Sequence, residues 1–237
     1  MRRAYIAADE PFDRALARAL KWAGETATIH APTTASIEEN NLDDYGVPVT
    51  SASRRSGFYD HPRGTVICTF LDLGLVLDVE RHGHRRGTLP ATIDGLIVVD
   101  AYGPQPYTPH GQHHSPWITA FDVEHLAGEP LAPVAPAPAP LRAALRDLTT
   151  NAVRNQGLLD KQRERSEAVH ALTYLRSAGV PLDPDALMVE ALRNEWGGTG
   201  PEDLRAIAVD LNNRKNLQYN KRRLGADRLQ RWAATTE

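Results

Sequence analysis

A run of prolines in the middle of the chain is the feature that most limits how this sequence can fold. The prolines alternate with alanine and valine and lie at Pro130, Pro133, Pro136, Pro138 and Pro140. Each proline fixes its own φ and disfavours helix in the residue before it, so the run favours an extended polyproline geometry. We predict a semi-rigid Pro/Ala linker over residues 131–140 that separates a domain at 1–130 from one at 141–237. A docking site for a proline-binding partner is the alternative that the same composition allows.

The composition is that of a globular protein. The chain has 237 residues, of which 41% are hydrophobic and 24% charged, and these values exclude wholesale disorder and collagen-like repeats. Its one cysteine excludes an intramolecular disulfide and favours a reducing compartment. No apolar run is long enough for a membrane span, and the segment after Met1 lacks the apolar core of a signal peptide. We therefore expect a cytoplasmic protein without a membrane partner.

The first half alternates short apolar runs with segments of helical periodicity. The apolar runs lie at residues 3–8, 26–31, 47–51, 65–70 and 95–101, and residues 118–126 form a final strand or helix. Strands that are apolar throughout and separated by helices are typical of a parallel sheet covered on both faces. The pattern predicts a Rossmann-like α/β domain with an open, mostly parallel sheet.

The second half is predicted to be entirely helical. Its apolar residues recur at helical spacing within residues 141–155, 160–178, 184–196, 201–211 and 226–233. Asp183 and Pro184 are a strong helix start, because Asp caps the free N–H groups and Pro suits the first helical position.

The candidate ligand site of the α/β domain lies at the carboxyl ends of its strands, where open sheets of this class bind ligands. The candidate ligand-binding residues there are Thr33, Thr34, Ser53, Arg54 and Arg55, and the candidate acid–base residues are Asp9, Glu10 and Asp100. Arginine can bind a phosphate bidentately, and small neighbours can add backbone N–H groups. Alternatively, Arg54 and Arg55 lie in a solvated loop, and the Asp100 carboxylate bonds to the local backbone. The sequence does not identify a catalytic residue or a cofactor.

Several common active-site motifs are absent. The chain has no G-x-x-x-x-G-K-[ST], no G-x-G-x-x-G after its first strand and no G-x-S-x-G. Cys68 lies inside an apolar strand, where a thiol is expected to be buried and inert. His110, His113 and His114 could supply imidazole ligands to zinc, but no H-E-x-x-H or C-x-x-C accompanies them. We therefore expect structural or surface histidines and no metal site.

The helices predicted at residues 184–196 and 201–213 have the lengths of a helix-turn-helix. In a DNA-binding protein the second helix places its N-terminal residues against base edges. Here that end carries Glu202 and Asp203, which would repel phosphate. We therefore favour a structural helical hairpin.

Residues 212–231, which we call the basic segment, are the most cationic part of the chain. The segment carries seven Lys and Arg against Asp227 alone, net +6. The candidate nucleic-acid-binding residues are Arg214, Lys215, Lys221, Arg222 and Arg223. Cations neutralise phosphates, the interleaved Asn and Gln can bond bases or backbone, and Tyr219 can stack. The alternative is a solvated helix that docks on the first half, since residues 1–131 carry 11 basic and 17 acidic side chains, net −6.

The sequence favours a nucleic-acid-associated protein whose helical domain contacts phosphates and whose α/β domain recognises a partner or a phosphorylated ligand. One alternative is an enzyme that acts on a nucleotide or another phosphorylated small molecule at the strand ends. The other is a protein–protein adaptor with two binding surfaces. The sequence gives no indication of an oligomeric state.

Overall fold

The computed structural model describes residues 1–52, 62–83, 92–100, 114–152, 158 and 163–236. The chain divides into two compact units, Met1–Ala132 and Pro133–Glu237. We call them the α/β unit and the helical unit. In the part of the chain that is described, no helix has both the length and the apolar character that a bilayer span requires.

The α/β unit contains a parallel sheet, and six of its strands lie in the described residues. They are β1 (Arg2–Ile6), β2 (Ala27–Ala31), β3 (Val49–Ser51), β4 (Gly64–Thr69), β5 (Ile93–Val99) and β6 (Glu124–Ala127). Every strand pair is parallel, and the spatial order is β3-β2-β4-β5-β1-β6. The predicted Rossmann-like class is confirmed, and the first strand of the chain lies inside the sheet between β5 and β6.

Helices cover both faces of this sheet. They are α1 (Phe12–Ala23), α2 (Thr34–Glu39), α3 (Leu73–Gly83) and α4 (Ser115–Phe121). Leu16 of α1 and Ile37 of α2 are buried in one cluster with Ile6 and other strand residues. Because successive side chains of a strand point to opposite faces, Arg3 leaves β1 on the other face, where it binds Glu80 of α3. Because the strands are apolar along most of their length, they place apolar side chains on both faces of the sheet. A layer of helices packs against each face.

The region predicted as a single final strand or helix contains both. Helix α4 begins at Ser115 with Pro116 in its first turn, which suits the fixed φ of proline. Asp122 then adopts a left-handed φ of 51°, which ends the helix and lets β6 start at Glu124.

Five helices lie in the described residues of the helical unit. They are α5 (Ala139–Ala152), α6 (Arg163–Ser177), α7 (Pro184–Arg193), α8 (Gly200–Asn212) and α9 (Ala226–Ala233). Their apolar residues form one buried cluster that includes Leu145, Leu172 and Leu204. Helix α7 starts as predicted, because the Asp183 carboxylate accepts the backbone N–H groups of Asp185 and Ala186. The predicted all-helical character of this half is confirmed.

The helical unit begins inside the segment predicted as a linker. Ala137 is buried in the helical core, and Val134 packs against that core. The Pro138 carbonyl accepts the N–H groups of Leu141 and Arg142 and so starts α5. The small apolar side chains of the Pro/Ala run therefore contribute to the core of the unit that follows them.

Candidate functional site

At the carboxyl end of β5, Asp100 contacts the buried imidazole of His114. Asp100 Oδ1 lies 2.6 Å from His114 Nδ1, and His114 Nε2 lies 3.1 Å from the carbonyl oxygen of Leu71. Both ring nitrogens therefore have oxygen partners, and neither is left for a metal ion or a substrate. The contact joins the end of β5 to the loop after β4 and to the start of α4, which is a structural role.

Asp9, the candidate carboxylate after β1, binds backbone. Its Oδ1 accepts the N–H of Glu129 at 2.8 Å, and nearby the Tyr5 hydroxyl oxygen accepts the N–H of Leu131 at 3.0 Å. Gly128 has a φ of 80°, and a Cβ at this position would collide with Asp9 Oδ1. Asp9 therefore holds the segment after β6 against the end of β1.

The other candidates at this edge are separate from one another. Glu10 Oε1 lies 3.6 Å from Arg18 Nε, and Arg18 lies nearly two turns into α1. The Thr33 hydroxyl oxygen caps α2 by accepting the Ser36 N–H, and Thr34 is the exposed first residue of that helix. Ser53, Arg54 and Arg55 lie outside the described residues. The structure thus gives Asp9, Glu10, Thr33 and Asp100 contacts within the α/β unit.

A buried ion pair lies on the opposite face of the sheet from α1, and sequence reasoning missed it. Glu80 is 3% exposed, and it accepts hydrogen bonds from the Arg3 guanidinium and from Trp117 Nε1. Burial, and secondly the Glu80 charge, raise the pKa of the Cys68 thiol, which is fully buried. The signal for Glu80 in the sequence was its position one turn after Val76 on the apolar side of α3.

The imidazoles considered as zinc ligands do not form a metal site among the described residues. Within those residues, no group of three or more His, Cys, Asp and Glu side chains is placed to hold a metal ion. His110 and His113 lie outside the described part of the chain, and His114 is bound to Asp100 and Leu71 as above.

Helices α7 and α8 form a packed hairpin, and the first turn of α8 is directed into the helical unit. Gly200 and Pro201 are buried there. Asp203 Oδ2 accepts the N–H of Leu158 and the hydroxyl of Thr199, each at 2.8 Å. This end of α8 is therefore engaged inside the unit, whereas a recognition helix presents the same end to a DNA groove.

The basic segment follows α8 and is held on the helical core at several points. Leu224 is buried, and Leu217 and Tyr219 pack against the core. The Tyr219 ring lies 5.1 Å, between centroids, from the His170 ring of α6. The backbone N–H of Asn220 donates to Ser166 Oγ, also on α6, at 2.8 Å. Residues 213–225 of the segment therefore form a strap that is packed on the core between α8 and α9, and the last residues of the segment belong to α9.

A tight turn at Asn220 presents three consecutive cations. The Arg223 N–H donates to the Asn220 carbonyl at 3.1 Å, which closes a four-residue turn. Asn220 Oδ1 also accepts the Arg222 N–H at 2.9 Å, the contact for which Asn is favoured at the first turn position. Lys221, Arg222 and Arg223 are all exposed on this turn.

Two of the seven cations of the basic segment have acidic partners. Lys215 Nζ lies 2.7 Å from Asp210 Oδ1, and Arg228 Nε lies 2.8 Å from Asp147 Oδ2. No ion pair or side-chain hydrogen bond of the described residues involves the remaining candidate cations, Arg214, Lys221, Arg222 and Arg223. We call these four the open cations. The sequence could not show the pair of Arg228, because Asp147 lies 81 residues away.

Comparison with known proteins gives one match. A family described as "Domain of unknown function (DUF1889)" matches residues 139–233. The match runs from the first residue of α5 to the last residue of α9 and includes the basic segment. No curated protein and no solved structure matches the chain. The helical unit is thus similar to this family, and the match does not extend to the α/β unit.

Proposed function

We propose that the helical unit binds nucleic acid by contacting phosphates through the basic segment. The observation that carries this proposal is the set of open cations, which are exposed and have no acidic partner among the described residues. A cation that is already paired gains little from a phosphate, because the incoming anion must compete with the carboxylate. An open cation instead releases a condensed counterion from the nucleic acid when it binds, and this release favours association.

The ordered backbone of the segment supports the same proposal. Tyr219 and Leu224 fix the chain on either side of the turn that carries Lys221, Arg222 and Arg223. A binding group that is already held in place loses less conformational entropy on association. The three cations therefore need to order only their side chains when they meet phosphates.

The proposal has consequences for the rest of the protein. It agrees with a cytoplasmic location, where nucleic acid is accessible and where the single Cys68 stays reduced. It leaves to the α/β unit the recognition of a protein partner or of a phosphorylated ligand.

The test is fluorescence anisotropy with a labelled mixed-sequence DNA duplex of about 20 base pairs, at salt concentrations from roughly 50 to 200 mM. Four phosphate contacts give a slope of log K against log salt between about −3 and −4. In the triple variant Lys221→Ala, Arg222→Ala, Arg223→Ala, we expect the slope to become less steep by nearly 3.

The matched control is Lys215→Ala, which removes a cation of the same segment that is bound to Asp210. We expect this variant to bind with almost the affinity and slope of the natural chain. Circular dichroism of both variants verifies that the helices are retained. Absence of binding to the duplex and to both of its separated strands at the lowest salt would contradict the proposal. Equal effects of the triple variant and Lys215→Ala would also contradict it.

A further inference from the structure

The basic segment contains one aromatic residue, and the structure turns it inward. Tyr219 is partly buried against the helical core, and its ring is tilted by 30° to the ring of His170. Proteins that bind single strands without sequence preference use exposed aromatic side chains as platforms on which bases stack. The ring that could serve this purpose here is instead in contact with the core and with His170, so the segment offers mainly cations and amides to a ligand.

The geometry of the Asn220 turn indicates how phosphates would have to be arranged. Lys221 and Arg222 occupy the corner of the turn, and Arg223 closes it. A DNA duplex is stiff, with a persistence length of about 50 nm, so its phosphates keep fixed positions relative to one another. Cations that are held on a fixed turn therefore suit the duplex.

From these two observations we infer that the basic segment binds double-stranded nucleic acid. Its cations contact the phosphate backbone of the duplex, and no side chain of the segment stacks on a base. The inference rests on the proposed function, since it specifies the form of nucleic acid that the same surface binds. A duplex also has a higher charge density than a single strand. The affinity of a protein for a duplex falls more steeply with salt, per phosphate contact, than its affinity for a single strand. With four contacts, this difference corresponds to about tenfold tighter binding of duplex at roughly 50 mM salt.

The experiment compares the full chain on a labelled duplex of about 20 base pairs and on each of its separated strands at equal ionic strength. We expect about tenfold weaker binding to the strands. Two variants test the cause. Tyr219→Leu removes the ring but keeps an apolar side chain against the core, and it should leave the affinity for the strands unchanged. Asn220→Ala removes the side-chain contact that supports the turn, and it should weaken binding to the duplex by a larger factor than binding to the strands.

Equal or tighter binding of the separated strands would overturn the duplex inference and leave the proposed function intact. The same holds if Tyr219→Leu weakens strand binding severalfold, since the ring would then be stacking with bases. Absence of binding to every probe would instead overturn the proposed function and this inference with it. Urea denaturation of both variants, compared with that of the natural chain, shows whether a lost affinity reflects lost folding.

Discussion

The imidazole of His170 and the phenol ring of Tyr219 are in contact, with their centroids 5.1 Å apart, and this contact joins α6 to the basic segment. His170 is 8% exposed, and its Nδ1 has no hydrogen-bond partner among the described residues. Burial, and secondly the positive charge of Lys221, lower the pKa of this imidazole below its ordinary value. The contact should therefore respond to pH.

We expect the helical unit to lose stability as the pH is lowered below about 6.5. The unfolded chain takes up a proton on His170 near that pH, whereas the folded chain does so at lower pH. Between these two pH values, protonation of His170 therefore favours the unfolded state. Above about pH 6.5 the imidazole is neutral in both states, and the unit keeps its full stability. The measurement is the protection of α6 amides from hydrogen exchange at about pH 7.5 and 5.5, corrected for intrinsic exchange rates.

The variant His170→Phe keeps a ring against Tyr219 and removes the titrating group. Its α6 protection should vary less with pH than that of the natural chain. The exposed His125 of the α/β unit supplies the control, and His125→Gln should leave the pH response of α6 unchanged. An unchanged pH response in His170→Phe would show that another group is responsible.

Cys68 is the single thiol of the chain and is fully buried in β4. Burial raises its pKa, so that the reactive thiolate is suppressed at neutral pH in the folded protein. We predict that an aromatic disulfide reagent reacts with no thiol in the native chain at pH 8 and with one thiol in concentrated urea. Rapid labelling without denaturant would contradict this prediction.

The ion pair between Arg3 and Glu80 should contribute strongly to the stability of the α/β unit. Replacing Glu80 by Gln leaves a largely buried guanidinium without its counter-charge, which costs about 3 kcal/mol or more. The control is Asp78→Asn in the same helix, because Asp78 is 56% exposed and its pair with Arg81 is of the surface type, worth about 1 kcal/mol or less. Labelling of Cys68 as a function of urea concentration reports the unfolding of this unit alone. Similar effects of the two substitutions would refute the distinction.

Asp100 is predicted to act in structure and not in proton transfer. Asp100→Leu removes the oxygen partner of a buried imidazole nitrogen and should destabilise the α/β unit by roughly 2 kcal/mol. Asp100→Asn keeps an oxygen for that nitrogen and should cost less. The readout is again the urea midpoint of Cys68 labelling. Equal midpoints for Asp100→Leu and the natural chain would argue against this role.

The sheet and the helical unit could be predicted because their signals are local. Apolar strands separated by helical periodicity were sufficient for the fold class, and Asp183 with Pro184 marked the start of α7. The boundary between α4 and β6 could not be predicted, because it depends on the left-handed backbone of Asp122. Aspartate adopts this conformation only in some contexts.

For the candidate binding surface, the sequence could predict the types of residue but not their contacts. The basic segment is visible as a run of cations, but the pairing of Arg228 with Asp147 depends on how helices pack. The pairing of Lys215 with Asp210 depends on how the chain turns after α8. The inward position of Tyr219 likewise depends on α6, which is distant in sequence. At the strand ends, Asp9 meets Glu129 across 120 residues, so no local pattern could show that this carboxylate is engaged.

The place of β1 between β5 and β6 bears on how the chain folds during its synthesis. The first strand pairs with residues 93–99 and 124–127, so its hydrogen-bonding edges stay open until those residues leave the ribosome. At roughly 5–20 residues per second, this wait lasts on the order of ten seconds. During that time β1, whose last three residues are buried in the folded sheet, has two unpaired edges. A chaperone that shields β1 would raise the yield of folded protein.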